Sequence, residues 1–235
     1  MYSHRSTTGP VDLAFTDRYD GVSAVPFDSL NLALVGEDDP VSTARNVALL
    51  LEDFAPGAAL ADMEQVHGAI VLTAGGPRGQ CDALVSDRAD VVLMVRVADC
   101  VPVLLADPGA GVIGAAHAGR NGVSAGVVEA CVQEMRALGA ERVSAWVGPH
   151  VCGSCYEVPA QLQGEVVAVE PATRSTTSWG TPALDLGAGV TAQLERLGVE
   201  VHDVSRCTLE SPDLYSHRRD GARAGRFAGV IRRRP

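Results

Sequence analysis

Three β-rich apolar runs follow one another in the middle of this chain, Val91 to Val97, Val101 to Ala106 and Val112 to Ala116. The first two meet at Ala98-Asp99-Cys100. Asp107-Pro108-Gly109-Ala110-Gly111 turns the second into the third, which ends at His117. Runs of this length bounded by turn residues read as strands, so a sheet occupies the centre of the fold. They do not read as a membrane span, because Arg96, Asp99 and Pro102 interrupt the most apolar stretch, Val91 to Ala106.

Helical patterns alternate with these strands. Asp38-Asp39-Pro40 introduces a helix from Val41 to about Glu52. From Val123 to Leu138 the residues Val127, Cys131, Met135 and Leu138 mark one helix face, with Gly139 as the stop. Further helices are expected over Val158 to Val169 and Leu186 to Leu197. Further strands are expected over Val11 to Thr16, Ala59 to Thr73, Val143 to Val147, Val199 to Val204 and Phe227 to Ile231. The polar loop Pro171 to Pro182 is too short to separate domains. The prediction is one α/β domain over residues 1–235, a mixed β-sheet flanked by helices.

The 29 acidic and 19 basic residues give a formal net charge of −10, the wrong sign for nucleic acid or an anionic membrane as partner. All the basic residues are arginine. Lysine-dependent chemistry, from Schiff bases to P-loops, is therefore excluded, and an anionic substrate must be held by Arg, His or backbone amides. No signal-peptide core occurs over Met1 to Asp20, and the six cysteines read as reduced thiols of a cytoplasmic protein. No oligomeric state is specified.

Two familiar motifs are read as decoys. Gly109 to Gly114 fits G-x-G-x-x-G but leads into a strand instead of a helix. Gly122-Val123-Ser124-Ala125-Gly126 fits G-x-S-x-G, yet Ser124 falls about a turn inside a helix, off any nucleophile elbow. Cys152-Gly153-Ser154-Cys155 lacks the second pair of a structural zinc site and reads as two buried or incidental thiols. Cys207 has no spacing partner. His4 lies in an expected frayed terminus, and His150 and His202 read as surface or supporting residues. His67, Cys100 and His117 differ, because each lies at or near the end of a predicted strand and is followed within two residues by a break. Two imidazoles and a thiolate at one sheet rim would suit zinc with an open fourth position, against separate structural roles for the three. The cluster Tyr215 to Gly221, with Gly225-Arg226, is either a solvated face or an anion cradle.

In order along the chain, Gln65-Val66-His67-Gly68, Ala98-Asp99-Cys100-Val101-Pro102, His117-Ala118-Gly119, Tyr156-Glu157-Val158 and Ser216 to Gly221 resemble the bacterial polyphenol oxidase/laccase-domain family. The resemblance runs from about Gly21, through Ser29-Leu30-Asn31-Leu32, to Ile231. It implies a layered α/β fold, with purine nucleoside phosphorylase activity and adenosine deaminase as a second activity. It places the family's metal ligands, and with them catalysis, on His67, Cys100 and His117, with zinc as the metal and copper as the alternative. Asn31, Arg45, Arg218 and Arg219 are the implied substrate-binding residues, for a purine nucleoside and phosphate. Two departures stand out. Arg120-Asn121-Gly122 replaces the frequent Trp-Arg-Gly after His-Ala-Gly, and Asn46 is followed by Val47, with the arginine before it as Arg45. A multicopper centre would need about ten histidines, and the chain has six. The rival readings are a cysteine hydrolase with Cys100 as nucleophile and His117 as base, and a catalytically silent metal- or purine-binding protein.

Overall fold

A computed structural model describes every residue, Met1–Pro235. The chain opens with a hairpin, β1 (Tyr2–Thr8) and β2 (Val11–Thr16). Helix α1 (Pro40–Phe54) is capped by Asp39, whose carboxylate accepts the N–H groups of Val41 and Ser42, while Pro40 sits in the first turn where no donor is missed. Strands β3 (Ala59–Asp62), β4 (Val71–Thr73) and β5 (Ala83–Ser86) precede the three central strands, β6 (Val91–Val97), β7 (Val101–Asp107) and β8 (Val112–Ala118). Then come α2 (Arg120–Ala125), α3 (Val127–Ala137), β9 (Ser144–Val147) and α4 (Ala160–Val169). The hairpin β10 (Arg174–Thr176) and β11 (Pro182–Leu184) leads to α5 (Leu186–Arg196), β12 (Glu200–Asp203), α6 (His217–Asp220) and β13 (Phe227–Arg233).

The α/β class is as expected, but there are two large mixed sheets where one was predicted. One has the order β1-β2-β13-β6-β3 and the other β12-β9-β7-β8-β5-β4. Consecutive side chains of a strand point to opposite faces, and here both faces are apolar. On β6, Leu93, Val95 and Val97 pack against Leu104, Ile113, Ala115 and Trp146 of the other sheet. Val92 and Met94 pack outward against Leu50 and Phe54 of α1. On β7 and β8, Val103, Leu105, Val112 and Ala116 meet Val128, Cys131, Val132 and Met135 of α3 and Val190 and Leu194 of α5. The result is a stack of helix, sheet, sheet and helices. Phe15 is fully buried between the sheets, where truncation to Ala costs about 3–5 kcal/mol.

Three local expectations are corrected. His4 lies in β1, paired with Phe15 of β2, and not in a frayed terminus. The helix expected from Val123 to Leu138 is two helices, because Gly126 takes φ +77 between α2 and α3. The stretch Ala59 to Thr73 is two short strands, leaving His67 in the loop between them. The G-x-G-x-x-G match is the β7–β8 turn, where the Asp107 carboxylate accepts the N–H groups of Gly109 and Ala110 at 2.9 and 3.1 Å. No helix is long and apolar enough to cross a membrane.

Candidate active site

Strand parity aims His117 toward the layer between the sheets, on the same face of β8 as Ile113 and Ala115. Cys100 follows Ala98 and Asp99 in the tight β6–β7 connection, where Asp99 takes φ 87. His67 also adopts a left-handed conformation, φ 60. Two non-glycine residues in this region, beside or among the three residues singled out from the sequence, mark a locally constrained backbone. Gln65 fixes the loop carrying His67 by imitating a strand partner: its Nε2 donates to the Arg96 carbonyl at 2.8 Å and its Oε1 accepts from Arg96 N at 2.9 Å.

The three side chains converge. Cys100 Sγ lies 3.9 Å from His67 Nε2, and the His67 and His117 rings meet edge to face with centroids 4.7 Å apart. One ligand atom from each of the three falls within 4.8 Å of the others. The glycine of His117-Ala118-Gly119 is required here, because a Cβ on Gly119 would stand 2.8 Å from His67 Cδ2 and 3.1 Å from Cys100 Sγ.

Asp82, which the sequence reading missed, holds this arrangement together. It is fully buried at the head of β5. Its Oδ1 accepts from His67 N at 2.9 Å and pairs with His117 Nδ1 at 2.8 Å; its Oδ2 accepts from Gly68 N at 2.7 Å and Val66 N at 3.2 Å. With Nδ1 so occupied, His117 presents Nε2 to the site, the orientation a carboxylate gives a metal-binding imidazole. The one available signal was a lone acid introducing an apolar run, Ala83-Leu84-Val85.

The electrostatics follow from this geometry. Burial raises the Cys100 thiol pKa, but hydrogen bonds and charge from His117 and His67 outweigh it and bring it down to about 6. Burial works against the His117 imidazolium, yet Asp82 and Cys100 raise it to about 9. Without a metal, the pair is a thiolate–imidazolium at neutral pH.

These residues stand at the wall of a cavity of about 790 Å³ that is also lined by Arg78, Arg96, Arg120, Arg218 and Arg226, with Tyr156 and Leu186 among the apolar walls. Arg218 lies over the Tyr156 ring at 4.9 Å and donates to the Glu157 carbonyl at 2.8 Å. Arg226 is half-buried and donates to the carbonyls of Ala224 and Gly225. Arg120, in the place of the frequent family tryptophan, faces the same cavity from the start of α2. Arg96 and Arg78 share Asp62, at 2.8 Å from Arg96 Nη2 and 2.5 Å from Arg78 Nε.

The other expected substrate residues lie elsewhere. Arg45 is exposed on α1 and pairs with Glu52 at 3.2 Å, outside the cavity lining. Its neighbour Asn46 is buried, bonded to Val22 N, Ser23 Oγ and the Ser29 and Asn31 carbonyls. Arg219 is spent on the carbonyls of Thr208, Ser211 and Leu214 and on Asp220. Asn31 acts at one remove, its Oδ1 accepting the Arg226 N–H at 2.8 Å. Asp99 faces the cavity, but its carboxylate accepts from Thr208 Oγ1 and Arg218 N, both at 2.6 Å. Ser124 is an ordinary residue of α2, and His150 is buried against the Gly148 carbonyl and not at the surface. His202 stacks on Trp146.

Residues 12–234 match the family described as multi-copper polyphenol oxidoreductase laccase. A Streptomyces coelicolor protein named purine nucleoside phosphorylase is 49% identical over 242 residues, covering 98% of this chain and 99% of its own. A Mycobacterium tuberculosis protein of the same name is 46% identical over 239 residues, covering 97% and 95%. Among solved structures, a Neisseria meningitidis protein superposes with a TM-score of 0.89 at 29% identity over 99% of each chain. YlmD from Geobacillus stearothermophilus does so at 0.85 and 31% identity, over 96% and 93%. Sequence and fold agree across nearly the whole length, and the chain belongs to the multi-copper polyphenol oxidoreductase laccase family.

Proposed function

We propose that the protein is a purine nucleoside phosphorylase that converts adenosine or inosine and phosphate to free base and ribose 1-phosphate, with adenosine deaminase as a second activity. The observation that carries this reading is the convergence of His67, Cys100 and His117 in one arginine-lined cavity, in a chain 49% identical to a relative of that name. The cavity volume is in the range of small-molecule sites.

The donor set fits a zinc ion. His117 is oriented through Nδ1 by Asp82, and Cys100 is easily ionised, which are the conditions a metal asks of imidazole and thiolate ligands. His67, Cys100 and His117 would hold it; the same donors would also accept copper. When bound, zinc supplies Lewis-acid chemistry and an activated water at neutral pH. A multicopper centre is not proposed, since His4, His150 and His202 lie outside the cavity lining and only His217 could add to the pair already used.

Phosphate is held by Arg120, Arg218 and Arg226, guanidinium being suited to its oxygens. A phosphate oxygen attacks the anomeric carbon while the bond to the purine breaks, its electron pair leaving with the base. Positioning of the anion is the protein's main contribution. The departing base takes up a proton, and Asp99 and His217 both face the cavity to relay it; Asp99→Asn and His217→Asn separate their roles. The activity needs Cys100 reduced, as a cytoplasm would keep it.

The thiolate–imidazolium pair also favours a second reading, a cysteine hydrolase with Cys100 as nucleophile and His117 as base. The test is chromatography of adenosine and inosine incubated with the protein, with and without phosphate, with and without a chelator, alongside Cys100→Ala. The phosphorylase reading expects phosphate-dependent release of free base that both the chelator and the substitution abolish. Phosphate-independent inosine from adenosine establishes the deaminase. No turnover in zinc-loaded protein refutes the nucleoside reading, and hydrolysis that increases on chelation moves the assignment to the hydrolase.

A further inference from the structure

The fold brings together a second group of ligands that shares no residue with the candidate active site. Cys152 and Cys155 lie in the loop between β9 and α4, and Cys207 and Glu210 in the segment after β12. One donor atom from each of the four lies within 4.8 Å of the others. Spacing could not reveal this, since a helix, a hairpin, a further helix and a strand separate Cys207 from Cys155. The two segments are laced by backbone bonds, His150 N to the Arg206 carbonyl at 3.1 Å and Thr208 N to the His150 carbonyl at 3.0 Å.

Each half is shaped for ligation. The Cys152–Cys155 turn folds on itself, with the N–H groups of Cys155 and Tyr156 both donating to the Cys152 carbonyl at 3.0 Å. It admits no side chain at Gly153, where a Cβ would stand 2.7 Å from Ser175 Oγ and 2.8 Å from Asp185 Cβ. The other half is pinned in place by a β-bridge that pairs Cys207 with His150.

We propose that Cys152, Cys155, Cys207 and Glu210 form a closed, structural zinc site. Three thiolates select a soft or borderline cation over magnesium or calcium, and four protein ligands leave no open position for substrate. Its role is to tie two loops behind the cavity. Val151 N donates to the Asp99 carbonyl at 3.1 Å, Thr208 Oγ1 to the Asp99 carboxylate, and Tyr156 directly follows Cys155.

The test is native mass spectrometry and elemental analysis of zinc in the full-length protein and in Cys100→Ala, Cys207→Ser and the double variant. The proposal expects Cys100→Ala to keep one zinc per chain, Cys207→Ser to have one fewer than the wild type, and the double variant to have none. A metal-free candidate active site would show as one zinc in both the wild type and Cys100→Ala, which leaves this proposal standing. Should Cys207→Ser fail to fold, thiol titration of Cys100→Ala with a zinc indicator replaces it. Zinc release must then track modification of Cys152, Cys155 and Cys207, identified by peptide mass. Equal zinc in Cys207→Ser and the wild type, complete modification without release, or a native disulfide among the three overturns the proposal.

Discussion

Substituting Asp82 by Asn tests whether one buried carboxylate organises the candidate active site. The two side chains have the same shape, so the change removes the charge and turns one acceptor oxygen into a donor. The carboxylate now takes four hydrogen bonds, from Val66, His67 and Gly68 N–H and from His117 Nδ1. An amide can keep the two at one oxygen and must face the other two donors with its own N–H₂. Hydrogen bonds to a charged group contribute about 1.5–3 kcal/mol each. Two lost would cost about 3–6 kcal/mol, and the exposed loop at His67 can turn its amides to water, so about 3 kcal/mol is expected. Urea unfolding of the metal-stripped proteins measures it. A second readout is specific to the site: the pH dependence of Cys100 alkylation. In the wild type the rate should rise through a midpoint of about 6, because only the thiolate reacts. In Asp82→Asn the His117 imidazolium loses its carboxylate, its pKa falls, and the Cys100 midpoint moves up. A variant within about 0.5 kcal/mol of the wild type, with an unmoved alkylation midpoint, would refute this account of Asp82.

Three further outcomes are expected. Gly119→Ala inserts a methyl against His67 and Cys100 and should weaken zinc binding at that site about 10–100-fold, read by competition with a chromophoric chelator, while far-UV circular dichroism stays unchanged. The arginines should divide by position. Arg218→Ala should raise the KM for phosphate about tenfold or more. Arg219→Ala should instead lower stability by about 2 kcal/mol through the carbonyls it abandons, and Arg45→Ala should change stability by less than about 0.5 kcal/mol and leave kinetics alone; steady-state kinetics with urea unfolding checks all three. Asp62→Ala leaves the buried Arg96 guanidinium uncompensated and should cost about 3–5 kcal/mol in the same unfolding assay.

How far the sequence could be read depends on whether a feature is local. Strand β2 and the central strands were legible because apolar side chains and turn residues announce them within a few positions. The second sheet was not: Leu93 and Val92 point to opposite layers, one to a sheet and one to a helix, and both layers ask for the same kind of side chain. The same limit governs the sites. His67, Cys100 and His117 could be singled out because each ends at a break in its own segment, but Asp82 matters only through partners 14 to 35 residues away. Arg45 and Arg219 carried the charge a phosphate site needs; their engagement with Glu52 and with the Thr208, Ser211 and Leu214 carbonyls exists only in three dimensions. The C-x-x-C pair has no second pair nearby in sequence to mark it as a metal site. A metal site requires its ligands to be close in space, and the parallel pairing of β12 with β9 leads the chain from both strands to the same end of the sheet. That is where Cys207 meets Cys152 and Cys155, so the topology supplies what the spacing lacked.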